Sequence, residues 1–289
     1  LSLVLDDPQA PALPGAARPA GAPATAPIGA PLVRRLLSHL GNSRWTVPLA
    51  LVLAWEVGSR VGLVPPRVLA APSAVLVTFW TLLVSGELPS NLLVSLARVV
   101  TGLGIGVTVG TVLAVAAGLF RRGETLVDPL MQMLRTLPFL ALVPLFIVWF
   151  GIGEVPKVAL IALGAAFPTY LTLFSGIRAI EAKLVEAGRS FGLSRLELIT
   201  NVVLPGATPS FLVGLRYALG HAWLSLVVAE QINASAGLGY LINNARDFMR
   251  TDIIVVCLGV YAVLGLGTDF LVRLLERRLL AWRPTFLER

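Results

Sequence analysis

Glu186–Pro205, EAGRSFGLSRLELITNVVLP, is a charge-bearing stretch set between two long apolar runs. Residues 178–205 are too polar to sit in hydrocarbon and form a longer link than most helix–helix connections. Leu184, Ala187, Gly188 and Phe191 recur at helical spacing and predict a helix with a narrow, small-residue face. Gly192 can take a positive φ and end that helix. Ser194, with Glu197 three residues later, is a capping-box pattern that starts a second helix. Leu196, Ile199, Thr200 and Val203 line one side of it, and Pro205 follows. The expectation is a compact helical knob at a membrane face, whose small corner residues let another protein come close. The bland alternative is a well-ordered connector with no partner.

The flanking runs fix the class of protein. Soluble domains carry about 25% charged residues. This chain of 289 residues has 13%, is 56% hydrophobic and has a mean hydropathy of +0.83, which is the composition of a polytopic membrane protein. The net charge of +7 does not indicate nucleic acid, because the basic residues gather at the ends of apolar runs and lack interleaved aromatics. Cys257 is the only cysteine, so neither an intrachain disulfide nor a cysteine metal cluster is available. His39 and His221 are the only histidines, and no HExxH spacing exists. No metal, cofactor or catalytic set is expected. With no GxxxxGK[ST] loop, energy must come from a partner or an ion gradient.

A membrane helix needs about 20 mainly apolar residues. The apolar runs predict six spans, near 46–64, 98–120, 128–150, 156–177, 209–230 and 253–275. Within the first and last, Glu56 with Arg60 and Asp269 with Arg273 stand four apart and can pair on one helical face. The charge-free run 68–86 is read as an interfacial helix on the outer face, started by Pro72-Ser73. Counting it as a seventh span would put Arg121, Arg122 and the basic cluster at 178–195 outside, against the positive-inside rule. Both termini are then cytoplasmic. Residues 1–31 are rich in Pro, Ala and Gly and show no period, which reads as a disordered tail. No basic region precedes a compact apolar core there, so a cleaved signal peptide is not expected. The organisation is a tail and pre-membrane segment over 1–44, a membrane domain over 45–284 and a cytoplasmic end at 285–289. Gly102, Gly106 and Gly110, four apart, predict close helix packing in place of nucleotide binding.

The knob resembles the "EAA" loop of ABC importer permeases, a pattern of Glu-Ala-Ala, three residues, Gly, nine residues, Ile-x-Leu-Pro. Glu186 and Ala187 open it, Gly188 takes the third small position, and Gly192 falls six residues after the Glu. Val202 takes the Ile position before Leu204-Pro205. The likeness extends over roughly 45–284, through segments 132–138, 147–154 (IVWFGIGE), 214–230, 237–246 (GLGYLINNAR) and 251–256. Those segments are similar to the subgroup of aliphatic-sulfonate, taurine, nitrate, bicarbonate and thiamine-precursor permeases, sulfonate first. The resemblance implies an all-α, six-span, MetI-like type I importer permease in the bacterial cytoplasmic membrane. It further implies a homodimer, two cytosolic ABC ATPase subunits and an extracytoplasmic substrate-binding protein. Glu186, Ala187, Gly188, Arg189, Gly192, Leu204 and Pro205 would then form the surface that the ATPase grips.

Ionisable groups inside a membrane are costly and point to function or to buried pairing. Arg135 and Arg216, each about two turns from a cytoplasmic span end, are candidate stops for an oxyanion or else snorkelling or paired charges. His221 and Trp223 either line the pathway or bond between helices. Glu230 is either an outer-gate contact or a boundary charge. Two other classes compete. A gradient-driven secondary transporter would explain the buried charges and leave the loop spacing unexplained. An intramembrane enzyme lacks its residues: Ser225 and His221 stand four apart with nothing to form an oxyanion hole.

Overall fold

The structure, a computed structural model, describes residues 46–232 and 234–281. The tail expected at 1–44 and the terminal segment at 285–289 lie outside the described residues. All described regular structure is helical. In chain order the helices are α1 (Thr46–Arg60), α2 (Pro72–Val84), α3 (Glu87–Leu119), α4 (Arg121–Thr136), α5 (Phe139–Phe150) and α6 (Glu154–Arg178). After them come α7 (Ala182–Ser190), α8 (Arg195–Leu198), α9 (Leu204–Glu230), α10 (Leu238–Asp247) and α11 (Thr251–Leu279). Packing divides the chain between Leu51 and Val52. The described part of the first unit is the opening of α1, and every relationship below lies within the second.

Among the described residues, α3, α6, the α8–α9 run and α11 are long and apolar enough to cross a membrane. The α4–α5 pair adds a fifth if it is one broken span. The sequence expectation of a continuous helix over 128–150 is corrected here, because the chain bends by 116° between α4 and α5. Pro138 supplies no N–H, and it pushes Leu137 out of the helical region to ψ 128°. Helix α3 starts at Glu87, well before the expected 98, so Arg98 lies inside it. Helix α2 has 13 residues, short for a span, and begins at Pro72 as expected. Glu56 pairs with Arg60 at 2.6 Å and also accepts from the Ser73 N–H and hydroxyl, tying α1 to the start of α2.

Helix α6 is the centre of the packing, with α3 on one flank and α9 on another. The glycine stripe of α3 makes the first contact possible. A Cβ at Gly106 would stand 2.3 Å from the Ala162 carbonyl, and one at Gly110 would stand 2.4 Å from that of Ala166. Backbone meets backbone there, which suits association where lipid removes the usual hydrophobic drive. Gly164 and Gly176 of α6 make room for the side chains of Ser225 and Ser210 of α9. Large apolar side chains such as Val263, Leu266 and Phe270 of α11 remain exposed, as lipid-facing residues would.

Candidate functional site

The polar loop folds into the expected knob. Helix α7 ends at Gly192, which takes φ +81°, and the Leu193 N–H reaches back to the Gly188 carbonyl at 3.1 Å. Ser194 then builds the capping box. Its hydroxyl accepts from the Glu197 N–H at 3.3 Å, and the Glu197 carboxylate accepts from the Ser194 N–H at 2.8 Å. Hydrogen bonding from Ser194 holds the Glu197 carboxyl below its ordinary range.

Two details differ from the sequence reading. Gly188 is not on the surface of the knob. It is buried inside the knob, where a Cβ would come within 2.6 Å of Leu198 Cδ2. Large apolar side chains stand on its outward surface among the charged ones: Phe191 is 87% exposed, Leu196 70% and Leu184 55%. The second helix also does not stop at Leu204-Pro205. A π turn over Ile199–Val203 carries α8 directly into α9, with the Leu204 N–H donating to the Ile199 carbonyl. That wider turn relieves the clash between the ring of Pro205 and the carbonyl four residues back. The knob and the following span are therefore one run from Arg195 to Glu230. Glu186, Ala187 and Arg189 are exposed on α7, and the Glu186 and Arg189 side chains have no partner among the described residues.

At the far end of that run stands a group that the sequence reading missed. Glu230, expected as a gate contact or boundary charge, is fully buried. It accepts from Arg98 Nη1 and the Ser95 hydroxyl, each at 2.7 Å, from the Gly239 N–H at 2.8 Å and from the Tyr261 hydroxyl at 3.3 Å. Arg98, 3% exposed, also grips Glu154 with two bonds of 2.5 and 2.7 Å and donates to the Ala236 carbonyl. Lys157 Nζ reaches Glu154 at 3.1 Å. Two cations and two carboxylates thus neutralise one another, and all three guanidinium nitrogens are satisfied. Asn91 and Ser95 accept from the N–H groups of Gly237 and Leu238, so the same cluster fastens the start of α10. A signal existed in the sequence: Ser95, Arg98, Gly102, Gly106 and Gly110 fall on one face of a single helix.

The other candidates separate. Arg216 is neutralised by α11: its Nη2 donates to Glu276 at 2.6 Å, and its Nε lies 3.3 Å from Asp269 without the alignment of a hydrogen bond. Asp269 in turn binds Arg273, its expected partner. Arg135 sits in the last turn of α4, exposed and unpaired among the described residues, next to the bend. Trp223 is buried and packs edge-on against Tyr261, its indole N–H donating to Thr268 at 3.3 Å. His221 is half-buried, with Nδ1 2.9 Å from the Tyr217 carbonyl. Arg135, Arg216, His221, Trp223 and Glu230 therefore form no single constellation. Among the described residues no group of His, Cys, Asp and Glu could hold a metal ion.

Comparison with known proteins points the same way as the knob. Residues 106–281 match the family described as the binding-protein-dependent transport system inner membrane component. The chain is 48% identical over 242 residues to an aliphatic sulfonates transport permease of Escherichia coli, covering 84% of this chain and 92% of that one. It is 44% identical over 240 residues to the Bacillus subtilis permease of the same name, covering 83% and 87%. The crystal structure of an amino acid ABC transporter with histidines shares the fold, with a TM-score of 0.58 at 20% identity over 70% of this chain and 96% of that one.

Proposed function

The chain belongs to the family of binding-protein-dependent transport system inner membrane components, and on that premise we propose that it forms the membrane path by which an aliphatic sulfonate is imported. It is a multi-pass membrane subunit of an ABC transporter and carries no catalytic centre of its own. A cytosolic ATPase and a substrate-binding protein are the partners such a subunit works with. In the proposed assembly two copies form a homodimer, two ATPase subunits engage the two knobs, and both chain termini and the knob are cytoplasmic, with six spans per copy.

The observation that carries the proposal is the knob. It exposes Phe191, Leu196 and Leu184 on a polar loop, the kind of apolar patch that marks a protein contact. The exposed side chains of Glu186 and Arg189 in the same loop have no partner among the described residues, which supports their pairing with charges on the ATPase. Helix α9 continues from this patch without interruption, so force applied there enters a span directly. Sulfonate rests on similarity to permeases so named in two bacteria.

The test is uptake into proteoliposomes holding the chain, its ATPase and its binding protein. Labelled alkanesulfonate should accumulate only when ATP and the binding protein are both present. Uptake by the chain alone without ATP would overturn the ABC mechanism. Uptake of nitrate in place of sulfonates would overturn the cargo and leave the mechanism standing.

A further inference from the structure

Helix α9 carries a stripe of polar groups that no other element satisfies. Ser210, Tyr217 and His221 fall on one face, with Val213 and Gly220 between them. Tyr217 is 56% exposed, and its hydroxyl has no hydrogen bond among the described residues. The hydroxyls of Ser210 and, across from it on α6, Ser175 are also free. Ser175, Gly176 and Ser210 border an open cleft of about 510 Å³, lined otherwise by Leu171, Thr172, Ala179, Pro209 and Val213. Helices α6 and α9 are the two that enter and leave the knob.

Elsewhere much of the exposed helical surface is apolar. On α11 it is Leu258, Val263, Leu266 and Phe270, and on α3 it is Leu93, Val100, Val109 and Val112. Those side chains suit acyl chains. Unbonded hydroxyls do not, because hydrocarbon offers them no partner. Polar groups at membrane depth face a bundle interior or a water-filled passage.

The chemistry narrows the ligand. Arg216 and Glu230, the charged groups of α9, are neutralised by other helices, so the stripe presents uncharged hydroxyl donors beside the His221 ring. A sulfonate offers three acceptor oxygens. Neutral donors can bind it one at a time and let it go, as a conducting path requires. We infer that Ser175, Ser210, Tyr217 and His221 line the translocation path and that the hydroxyls of the first three hand an alkanesulfonate along α9, an inference that rests on the import reading above.

Single cysteines at Ser175, Ser210 and Tyr217 test it in the reconstituted complex, with an anionic, membrane-impermeant methanethiosulfonate as probe. The native Cys257 is buried and provides the blank. Leu266→Cys, on the exposed apolar face of α11, is the lipid-facing control. A thiol in hydrocarbon does not ionise, so stripe positions should react about tenfold faster than the control. Alkanesulfonate supplied with binding protein and ATP should slow them. Reaction at the control rate, or reaction unaffected by the alkanesulfonate, would overturn the assignment. So would spontaneous disulfides between two copies at these positions, which mark a subunit contact in place of a path. Gel filtration of each variant establishes assembly first. Failure of the import reading shows separately, as uptake that ignores ATP or the binding protein.

Discussion

Arg98 Nη1 donates to Glu230 Oε1 at 2.7 Å, although 132 positions separate the two residues. Both side chains are buried, at 3% and 0% exposure. Removing one member of such a pair leaves the other uncompensated and costs about 3–5 kcal/mol. Arg98→Met should therefore lower the thermal unfolding midpoint of the purified protein strongly. Glu154→Gln removes the other carboxylate that Arg98 grips, yet its side chain is 57% exposed and water screens it. That variant should cost less than about 1 kcal/mol. Equal melting of the two would refute the ranking.

Gly106→Ala and Gly104→Ala form a matched pair. At Gly106 the new methyl would press on the Ala162 carbonyl at 2.3 Å, which is backbone and cannot swing aside. At Gly104 nothing lies within 4 Å. The first should destabilise by about 1–3 kcal/mol, as overpacking does, and the second should be nearly silent. Detergent-solubilised unfolding curves would separate them.

Within the knob, Gly192→Ala forces a side chain into φ +81°, at about 1–2 kcal/mol. Membrane insertion should be intact, while stimulation of ATP hydrolysis by the loaded binding protein falls. Wild-type stimulation in this variant would argue against a coupling role for the corner.

Phe191→Ser tests the contact itself. The ring is 87% exposed, so the fold should lose nothing measurable. Aromatic anchors of protein interfaces are worth about 2 kcal/mol or more, so ATPase association should weaken by about 30-fold. A pull-down titration in detergent reads the change, and unchanged affinity would remove Phe191 from the contact.

The knob could be read from sequence because its determinants are local. The Ser194–Glu197 box and the Gly192 corner each act within a few residues, and the structure reproduces both. The glycine stripe of α3 was legible for a similar reason, since small residues four apart can do little else in a membrane. The burial of Glu230 was not legible. Its neutralising partner lies on another helix, and only the packing of α3 against α6 and α9 brings them together. Arg216 illustrates the same difficulty, its carboxylates lying on α11. The α4–α5 bend was hidden differently: the apolar residues after Arg135 read as the continuation of one span even where Pro138 interrupts it. The π turn at Ile199–Val203 was not legible either, because a widened turn lets a proline continue a helix instead of ending one.

The unbroken run from Arg195 to Glu230 has 36 residues, about 54 Å at 1.5 Å per residue. It is a lever arm with Phe191 and Leu196 near one end and the buried carboxylate at the other. A tilt of about 5° at the knob displaces the opposite tip by about 5 Å, more than the length of a hydrogen bond. Glu230 could not follow such a swing and stay bonded to Arg98, Ser95 and the Gly239 N–H at once. Small angular motions at the ATPase contact would thus be read out at the distant tip as the making or breaking of whole bonds, a digital response to an analogue push.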